Sequence, residues 1–309
     1  MTNADFEKLV DTSDEWITTR TGIKERRIAD DTIFSSDMAV AACQNALEMA
    51  KCSGDEIDML IVGTVTPDYK LPSTACIVQE KISLPNAVAF DVVAACTGFI
   101  NGLSIADAYI SAGACKKALV VGVEKLSSFT NYKDRNTCVL FGDAAGAVVV
   151  EADDSGSGVQ SIFMRSDGKM RPLLWAKTGG AVNPYTPEFT YDGSDKITMN
   201  GSDVFKVAVK EMANACKNVM ERAEVASEDI ALVVPHQANI RIVEALAKRL
   251  RVGMDRVYLN IENYGNTSAA SVPLALDQAN RQGIIKEGDH VIMVAFGGGL
   301  IWGSALVKW

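Results

Sequence analysis

Three polar side chains stand where apolar runs stop, and their types suit capture of an acyl group followed by chemistry at carbon. The first is Cys96 in Phe90-Asp-Val-Val-Ala-Ala-Cys-Thr-Gly-Phe99, a thiol between a β-branched run and the start of a small-residue helix. Unpaired amides and the dipole at a helix start favour negative charge, so this placement predicts a lowered thiol pKa and a ready thiolate nucleophile. The second is His236, which closes the apolar run of Ile230-Ala-Leu-Val-Val-Pro-His-Gln-Ala-Asn239. The third is Asn266 in Asn263-Tyr-Gly-Asn-Thr-Ser-Ala-Ala-Ser-Val272, a turn that feeds another small-residue helix.

Each residue has a plainer reading. Free cysteine is among the most buried residue types, and the chain has seven. An asparagine in Gly-Asn-Thr-Ser is commonly a turn or N-cap residue. Of the two histidines, His290 in Glu287-Gly-Asp-His290 reads as a solvated turn residue, which leaves His236 as the one placed for chemistry. The joint placement of all three at strand ends favours a shared site.

The elements that must position them repeat. Ala87 to Val93 reads as a buried strand, and Gly98, Phe99, Gly102, Leu103, Ala106 and Ile110 as a tightly packed helix starting near Cys96. The run Glu56-Ile-Asp-Met-Leu-Ile-Val-Gly63 resembles Asp229-Ile-Ala-Leu-Val-Val-Pro-His236, and Ala118-Leu-Val-Val-Gly122 resembles Val291-Ile-Met-Val-Ala295, both at an offset of 173 residues. The helices near Cys96 and Ser268 then coincide, and Phe141 to Val150 parallels Gly298 to Val307. This predicts two similar α/β halves, 1–155 carrying the cysteine and 156–309 carrying the histidine and asparagine, joined near Glu151 to Gly158. The second half opens with a strand at Gly158 to Met164 whose counterpart falls before Met1. The first half is therefore expected to lack its opening strand, so that either the true start lies upstream or something else fills the slot.

Composition sets the class. With 48% hydrophobic residues over 309 positions the chain can bury a large core. No apolar run approaches the ~20 residues of a membrane span, and the N-terminus lacks the pattern of a signal peptide. An odd number of cysteines without CxxC spacing points to a reducing compartment, the cytoplasm, and away from structural zinc. A net charge of −9 argues against nucleic acid as a partner. Locally the sign reverses. Ile240 to Leu250 is an amphipathic helix with Ile240, Val243, Ala247 and Leu250 on one face and Arg241, Lys248 and Arg251 on another, Arg249 nearby, which suits an acidic partner or a phosphate-bearing substrate. A second basic cluster, Arg20 to Arg27, follows Trp16 and suits a nucleotide handle.

Thr12-Ser-Asp-Glu-Trp-Ile-Thr-Thr-Arg-Thr-Gly-Ile23, Ala94-Ala-Cys-Thr-Gly-Phe99, Val234-Pro-His-Gln-Ala-Asn239, Gly265-Asn-Thr-Ser-Ala-Ala270 and Ala295-Phe-Gly-Gly-Gly299 resemble, as a set, the signature segments of β-ketoacyl-acyl carrier protein synthase III. The resemblance extends from about Thr2 to Trp309. It implies a duplicated thiolase-type α/β fold layered α-β-α-β-α, a homodimer, and a decarboxylative condensation that starts type II fatty acid synthesis. A short acyl group, acetyl or similar, comes from coenzyme A as a substrate, malonyl-acyl carrier protein is the extender, and no cofactor or metal is needed.

On this resemblance Cys96 forms the acyl-enzyme, the amides of Cys96 and Gly298 hold its oxyanion, and His236 and Asn266 donate to the enolate left by loss of carbon dioxide. Trp16 and Arg135 would hold the adenine between them, Arg20 would meet the phosphates, and Thr12 would line the nucleotide site. Gly201, Phe205, Ala238 and Asn239 would line the pantetheine channel, Arg241, Lys248 and Arg249 would dock the carrier protein, and Leu71 and Phe141 would shape the acyl pocket. Leu71 departs from acetyl-selective relatives, which often present phenylalanine there across the dimer. Two other readings stand beside this one: a cysteine hydrolase with a Cys-His-Asn triad, and a non-catalytic acyl-binding protein of the same fold.

Overall fold

The β-branched runs become two sheets, and the small-residue segments become the helices between them. The computed structural model describes residues 1–309. The first sheet contains β1 (Met59–Gly63), β2 (Val88–Val92), β3 (Lys117–Glu124) and β4 (Ala144–Glu151) in the order β2-β1-β3-β4, with β4 antiparallel and the rest parallel. After β5 (Gly158–Ser166) come the two-residue strands β6 (Leu174–Trp175) and β7 (Thr198–Met199), which pair with each other. The second sheet joins β5 to β8 (Ile230–Pro235), β9 (His290–Gly297) and β10 (Ile301–Lys308) in the order β5-β10-β9-β8.

Helices α1 (Asn3–Phe6), α2 (Asp14–Thr21), α3 (Ser35–Ala50), α4 (Thr74–Lys81) and α5 (Gly98–Ser111) belong to the first half. Helices α6 (Gly201–Ala223), α7 (Ile240–Leu250), α8 (Ile261–Tyr264) and α9 (Ser271–Arg281) belong to the second. α3 and α4 cover the outer face of the first sheet, α5 and α9 lie between the sheets, and α6, backed by α7, covers the outer face of the second. The layering is thus the expected α-β-α-β-α. The middle layer is held by Phe99, Ile100 and Leu103 of α5 with Val272 and Leu276 of α9, all buried. Each such side chain contributes roughly 1.5–3 kcal/mol on leaving water.

The 173-residue offset survives in the pairing. Met59 lies opposite Ala118 and Leu232 opposite Val291. The short 3-10 turns Gly54–Glu56 and Ser227–Asp229 match, as do Ala95–Thr97 and Ser268–Ala270. Even the left-handed residues recur, Lys51 with Glu224 and Ala95 with Ser268. Holding a non-glycine residue there costs roughly 1–3 kcal/mol, which the packing around both helix starts must offset.

Three expectations change. The strand before Cys96 is not buried: β2 is an edge strand, with Val88 and Val93 exposed because nothing pairs with its outer side. His290 is not a free turn residue but the half-buried first residue of β9, opposite Lys308. On α7 the buried face is Ile242, Val243, Leu246, Ala247 and Leu250. Ile240 instead lies against Gly22, where a Cβ would come 2.8 Å from the Ile240 Cβ and where φ is +81°. Glycine is required there on both counts.

No strand of the chain pairs with the outer edge of β4, whereas β5 pairs with the equivalent edge of β10. Beside β4 lie a cavity of about 290 Å³ against α3 and α9 and one of about 460 Å³ against α5, both reaching Trp309. The slot left open by the repeat is therefore a groove between packed helices.

Candidate active site

The local sequence explains why each polar group stands free. Cys96 sits in the 3-10 turn between β2 and α5, after Ala95 at φ +45°. This turn is pressed against the end of β9: a Cβ on Gly297 would lie 2.7 Å from the Cys96 nitrogen and 3.1 Å from the Ala95 Cβ. Only glycine lets the two backbones meet. Neither the Cys96 amide nor the Gly298 amide donates to an acceptor in the protein, so both remain available to an oxyanion.

His236 follows the last residue of β8 and continues its ladder, its amide donating to Val294 O at 2.7 Å. Gln237 locks the turn through its side-chain bonds to Pro235 O at 2.8 Å and Tyr258 O at 3.1 Å, while its amide donates to Ser271 Oγ at 2.8 Å. The imidazole is buried, with Nδ1 sealed from any partner. Burial pushes its pKa down to about 4, so it is neutral near pH 7.

Asn266 is held by its backbone, its amide donating to Leu140 O at 2.8 Å and its carbonyl accepting from Gly142 N at 3.0 Å. The Ser268 amide donates to Asn266 Oδ1 at 2.9 Å. With its oxygen occupied, the side chain has only its Nδ2 donors left to offer.

Cys96, His236 and Asn266 line one cavity of about 830 Å³. Trp16, Arg20, Gly201, Phe205, Ala238, Asn239 and Arg241 line it too. Asn239 also caps α7, accepting from the Arg241 amide at 2.9 Å, and ties that helix to α2 by donating to Arg20 O at 2.9 Å. The cavity floor includes residues that the sequence did not single out, among them Leu174 and Met199 of the β6-β7 pair, Met212 and Phe296. The two-residue strands are too short to leave a periodic signal.

Several expected residues sit differently. Burial pushes the Cys96 thiol up to about 12, against the expected thiolate, because the cavity wall removes more hydration than the short turn restores. Phe141 does not line the cavity. It is buried with Phe6, Ile17 and Ile23 and bridges to Asn266, so it supports the asparagine from behind. Arg135 and Arg20 flank the Trp16 ring at 4.6 and 4.9 Å, and no gap for an adenine separates Arg135 from the ring. Thr12 lies outside the cavity lining, its hydroxyl buried without a partner. Leu71 is 87% exposed on the loop before α4, away from the cavity of its own chain. Lys248 and Arg249 are exposed on α7 and pair with no carboxylate, as is true of Arg241.

Two residues behind Cys96 were missed. Glu124, the last residue of β3, is fully buried with no cation beside it, and Ser268 Oγ donates to its Oε1 at 3.0 Å. The signal in the sequence was a single carboxylate closing the apolar run Ala118 to Val123.

The family described as 3-oxoacyl-[acyl-carrier-protein (ACP)] synthase III matches residues 90–168, and its C-terminal part matches residues 220–309. The β-ketoacyl-[acyl-carrier-protein] synthase III of Caldanaerobacter subterraneus subsp. tengcongensis is 52% identical over 309 residues, covering all of this chain and 93% of the relative. That of Clostridioides difficile is 51% identical over 307 residues, covering 99% and 93%. Among solved structures, 3-oxoacyl-[acyl-carrier-protein] synthase III from Aquifex aeolicus superposes with a TM-score of 0.93 at 47% identity, covering all of this chain and 95% of that one.

Proposed function

The chain belongs to the 3-oxoacyl-[acyl-carrier-protein] synthase III family, an acyltransferase that condenses an acyl-CoA with malonyl-acyl carrier protein to initiate fatty acid synthesis, and we propose that Cys96, His236 and Asn266 carry this reaction here. The observation that carries the assignment is their convergence on one cavity beside two unpaired backbone amides. Cys96 attacks the acyl thioester, and the amides of Cys96 and Gly298 stabilise the tetrahedral oxyanion. Malonyl thioester then loses carbon dioxide, and charge develops on its carbonyl oxygen. A neutral His236, with its proton on Nε2 because Nδ1 has no acceptor, and the free Nδ2 of Asn266 stabilise that enolate. Its carbon attacks the acyl group on Cys96. A neutral imidazole suits donation to an enolate and argues against the hydrolase reading, which needs a basic histidine to activate the thiol.

Acyl-CoA is taken as substrate rather than cofactor, its pantetheine passing Gly201, Phe205, Ala238 and Asn239. Arg20 meets the phosphates, and Arg135 swings off Trp16 to admit the adenine, with Thr12 beneath. Malonyl-acyl carrier protein docks on Arg241, Lys248 and Arg249, whose charges are unpaired. The free edge of β2, with Val93 79% exposed and Leu71 nearby, supports a homodimer in which Leu71 reaches the partner's acyl pocket. Asp91 ties the start of α4, which follows that loop, to β2 by accepting from the Thr74 and Ala75 amides at 2.8 Å. The protein acts in the cytoplasm, and residues 1–155 and 156–309 form its two halves. No helix is long and apolar enough to cross a membrane.

The test is release of carbon dioxide from malonyl-acyl carrier protein in the presence of acetyl-CoA, with mass analysis of the enzyme. Acetylated Cys96 and 3-ketoacyl product support the assignment. Hydrolysis of acetyl-CoA without condensation would support the hydrolase instead.

A further inference from the structure

Gln237 is 1% exposed and stands outside the cavity lining, next in the chain to His236. A glutamine amide taken out of water must have its polar atoms matched, and this one does. Nε2 donates to Pro235 O at 2.8 Å and to Tyr258 O at 3.1 Å, while Oε1 accepts from the Asn260 amide at 3.3 Å. Two carbonyls on one side and an N–H on the other admit an amide in one orientation, whereas a carboxylate would face two carbonyl oxygens. These bonds run in two directions. Backward, Pro235 O belongs to the peptide group that carries His236, and the His236 amide holds the other end of that group on Val294 O at 2.7 Å. The plane from which the imidazole projects is thereby fixed. Forward, Tyr258 and Asn260 lead into α8 and the turn of Asn266. The Asn260 side chain donates to Gln278 Oε1 at 2.9 Å, and Gln278 Nε2 donates to the hydroxyl of Tyr264, the last residue of α8, at 2.8 Å. The Gln237 amide, on Ser271 Oγ, grips the far side of the same turn.

We propose that Gln237 is a positioning residue that holds the His236 donor in register with the Asn266 donor, and so serves decarboxylation rather than acyl transfer. The proposal rests on the assignment of those two side chains to the enolate. One oxygen must accept from both, so each donor has to stand about 2.7–3.1 Å from the same point. His236 ends the run of β8 and Asn266 follows α8, with Nδ1 of the first unpartnered and Oδ1 of the second turned to the Ser268 amide. Their spacing is therefore carried by the backbone of two segments, and the Gln237 side chain is bonded to both. A misplacement of about 1 Å at a reacting group costs on the order of 10²-fold in rate. Cys96 stands on a different support, the turn between β2 and α5 pressed against the end of β9. Loss of the Gln237 bonds therefore separates the two half-reactions, whereas loss of a merely structural glutamine would lower both together.

The test follows two half-reactions of the full chain: acetyl transfer from acetyl-CoA to Cys96, by peptide mass mapping, and release of carbon dioxide from malonyl-acyl carrier protein. Gln237→Leu removes the three side-chain bonds at similar bulk. Its kcat for carbon dioxide release should fall about thirty- to a hundredfold with KM within about threefold, while acetyl transfer stays within about threefold. Because Gln237 acts through His236, adding Gln237→Leu to His236→Ala should cost less than about threefold further. Gln278→Leu leaves the bonds of Gln237 in place but cuts the path through Asn260 and Tyr264. It should slow carbon dioxide release alone, by about five- to tenfold, and covers the case of a Gln237 variant that does not fold. Equal loss of both half-reactions, no loss in either, or a full further loss on the His236→Ala background overturns the positioning role. A wild type that releases no carbon dioxide, or carries no acetyl group on Cys96, overturns the reading of the site instead.

Discussion

The two halves share a backbone plan and divide the polar groups of the cavity between them. At the common spacing, Cys96 has Ala269 as its counterpart, His236 has Gly63, Asn266 has Val93, Ser268 has Ala95 and Glu124 has Gly297. Each polar group stands where the other copy has a small or apolar residue. Space explains much of this. A Cβ on Gly63 would lie 2.6 Å from the Gly98 carbonyl carbon, and one on Gly122 would lie 2.1 Å from Ala269 O. Where the first half must press its strands against helix starts, the second half opens enough to seat an imidazole. The site is thus built from one specialised copy of each position, facing across the middle layer.

The largest test of this division replaces Cys96 by its counterpart. Cys96→Ala should cut condensation on the order of 10⁴-fold or more, read by product formation and by loss of the acyl-enzyme mass. Acylation of another thiol with activity retained would break the comparison. Next, His236→Ala and Asn266→Ala should each slow decarboxylation about 10²–10³-fold while acyl transfer to Cys96 stays within several-fold. Asn266→Val, which copies the first half outright, should do the same. Equal loss of both half-reactions would mean that the two halves do not divide the work.

Packing makes the third test. Gly122→Ala should destabilise by about 3 kcal/mol in denaturant unfolding, since its methyl has no room, whereas Ala295, its counterpart, already carries one. A well-tolerated Gly122→Ala would show that the helix starts can shift.

The buried titratable groups give a fourth test of similar or smaller size. The raised pKa of Glu124 adds stability that is full below about 4.5 and lost as pH rises through about 7. The lowered pKa of His236 does the opposite, losing stability as pH falls from about 6.5 to about 4. The two offset each other in the wild type. Glu124→Gln should therefore uncover a rise in stability with pH over this window and His236→Ala a fall, each amounting to about 3 kcal/mol. Flat profiles in both variants would show that neither group is as dry as the packing implies.

The smallest effect is at the surface, where only the second half presents a basic helix. Charge reversal at Arg249, or at Arg241 and Lys248 together, should raise the KM for malonyl-acyl carrier protein about five- to tenfold, shrinking at high salt, with acetyl-CoA kinetics less changed. Salt-independent kinetics that the substitutions leave alone would place docking elsewhere.

Much of this arrangement was legible in the chain. Cys96 and His236 stood out because each follows an apolar run and Asn266 because its turn feeds a small-residue helix, and the repeat was legible because β1 and β3 keep the same spacing as β8 and β9. The edge position of β2 was not, since four of the five residues of Val88 to Val92 are apolar and the absence of a neighbour exposes them. Phe141 was misplaced for a related reason: an apolar side chain does not say whether it faces a core, a cavity or another molecule.

Local order and pattern thus determined the strands, the helix starts and the residue types fit for the reaction, because those follow from periodicity and backbone chemistry within a few residues. The three-dimensional packing decided their charge states. Whether Cys96 rests as thiol or thiolate, and whether Glu124 is an inert end of a strand or a neighbour of the nucleophile, depends on how much water the two halves exclude when they close on one another. Desolvation is a property of the assembled cavity, and no stretch of the chain carries it alone.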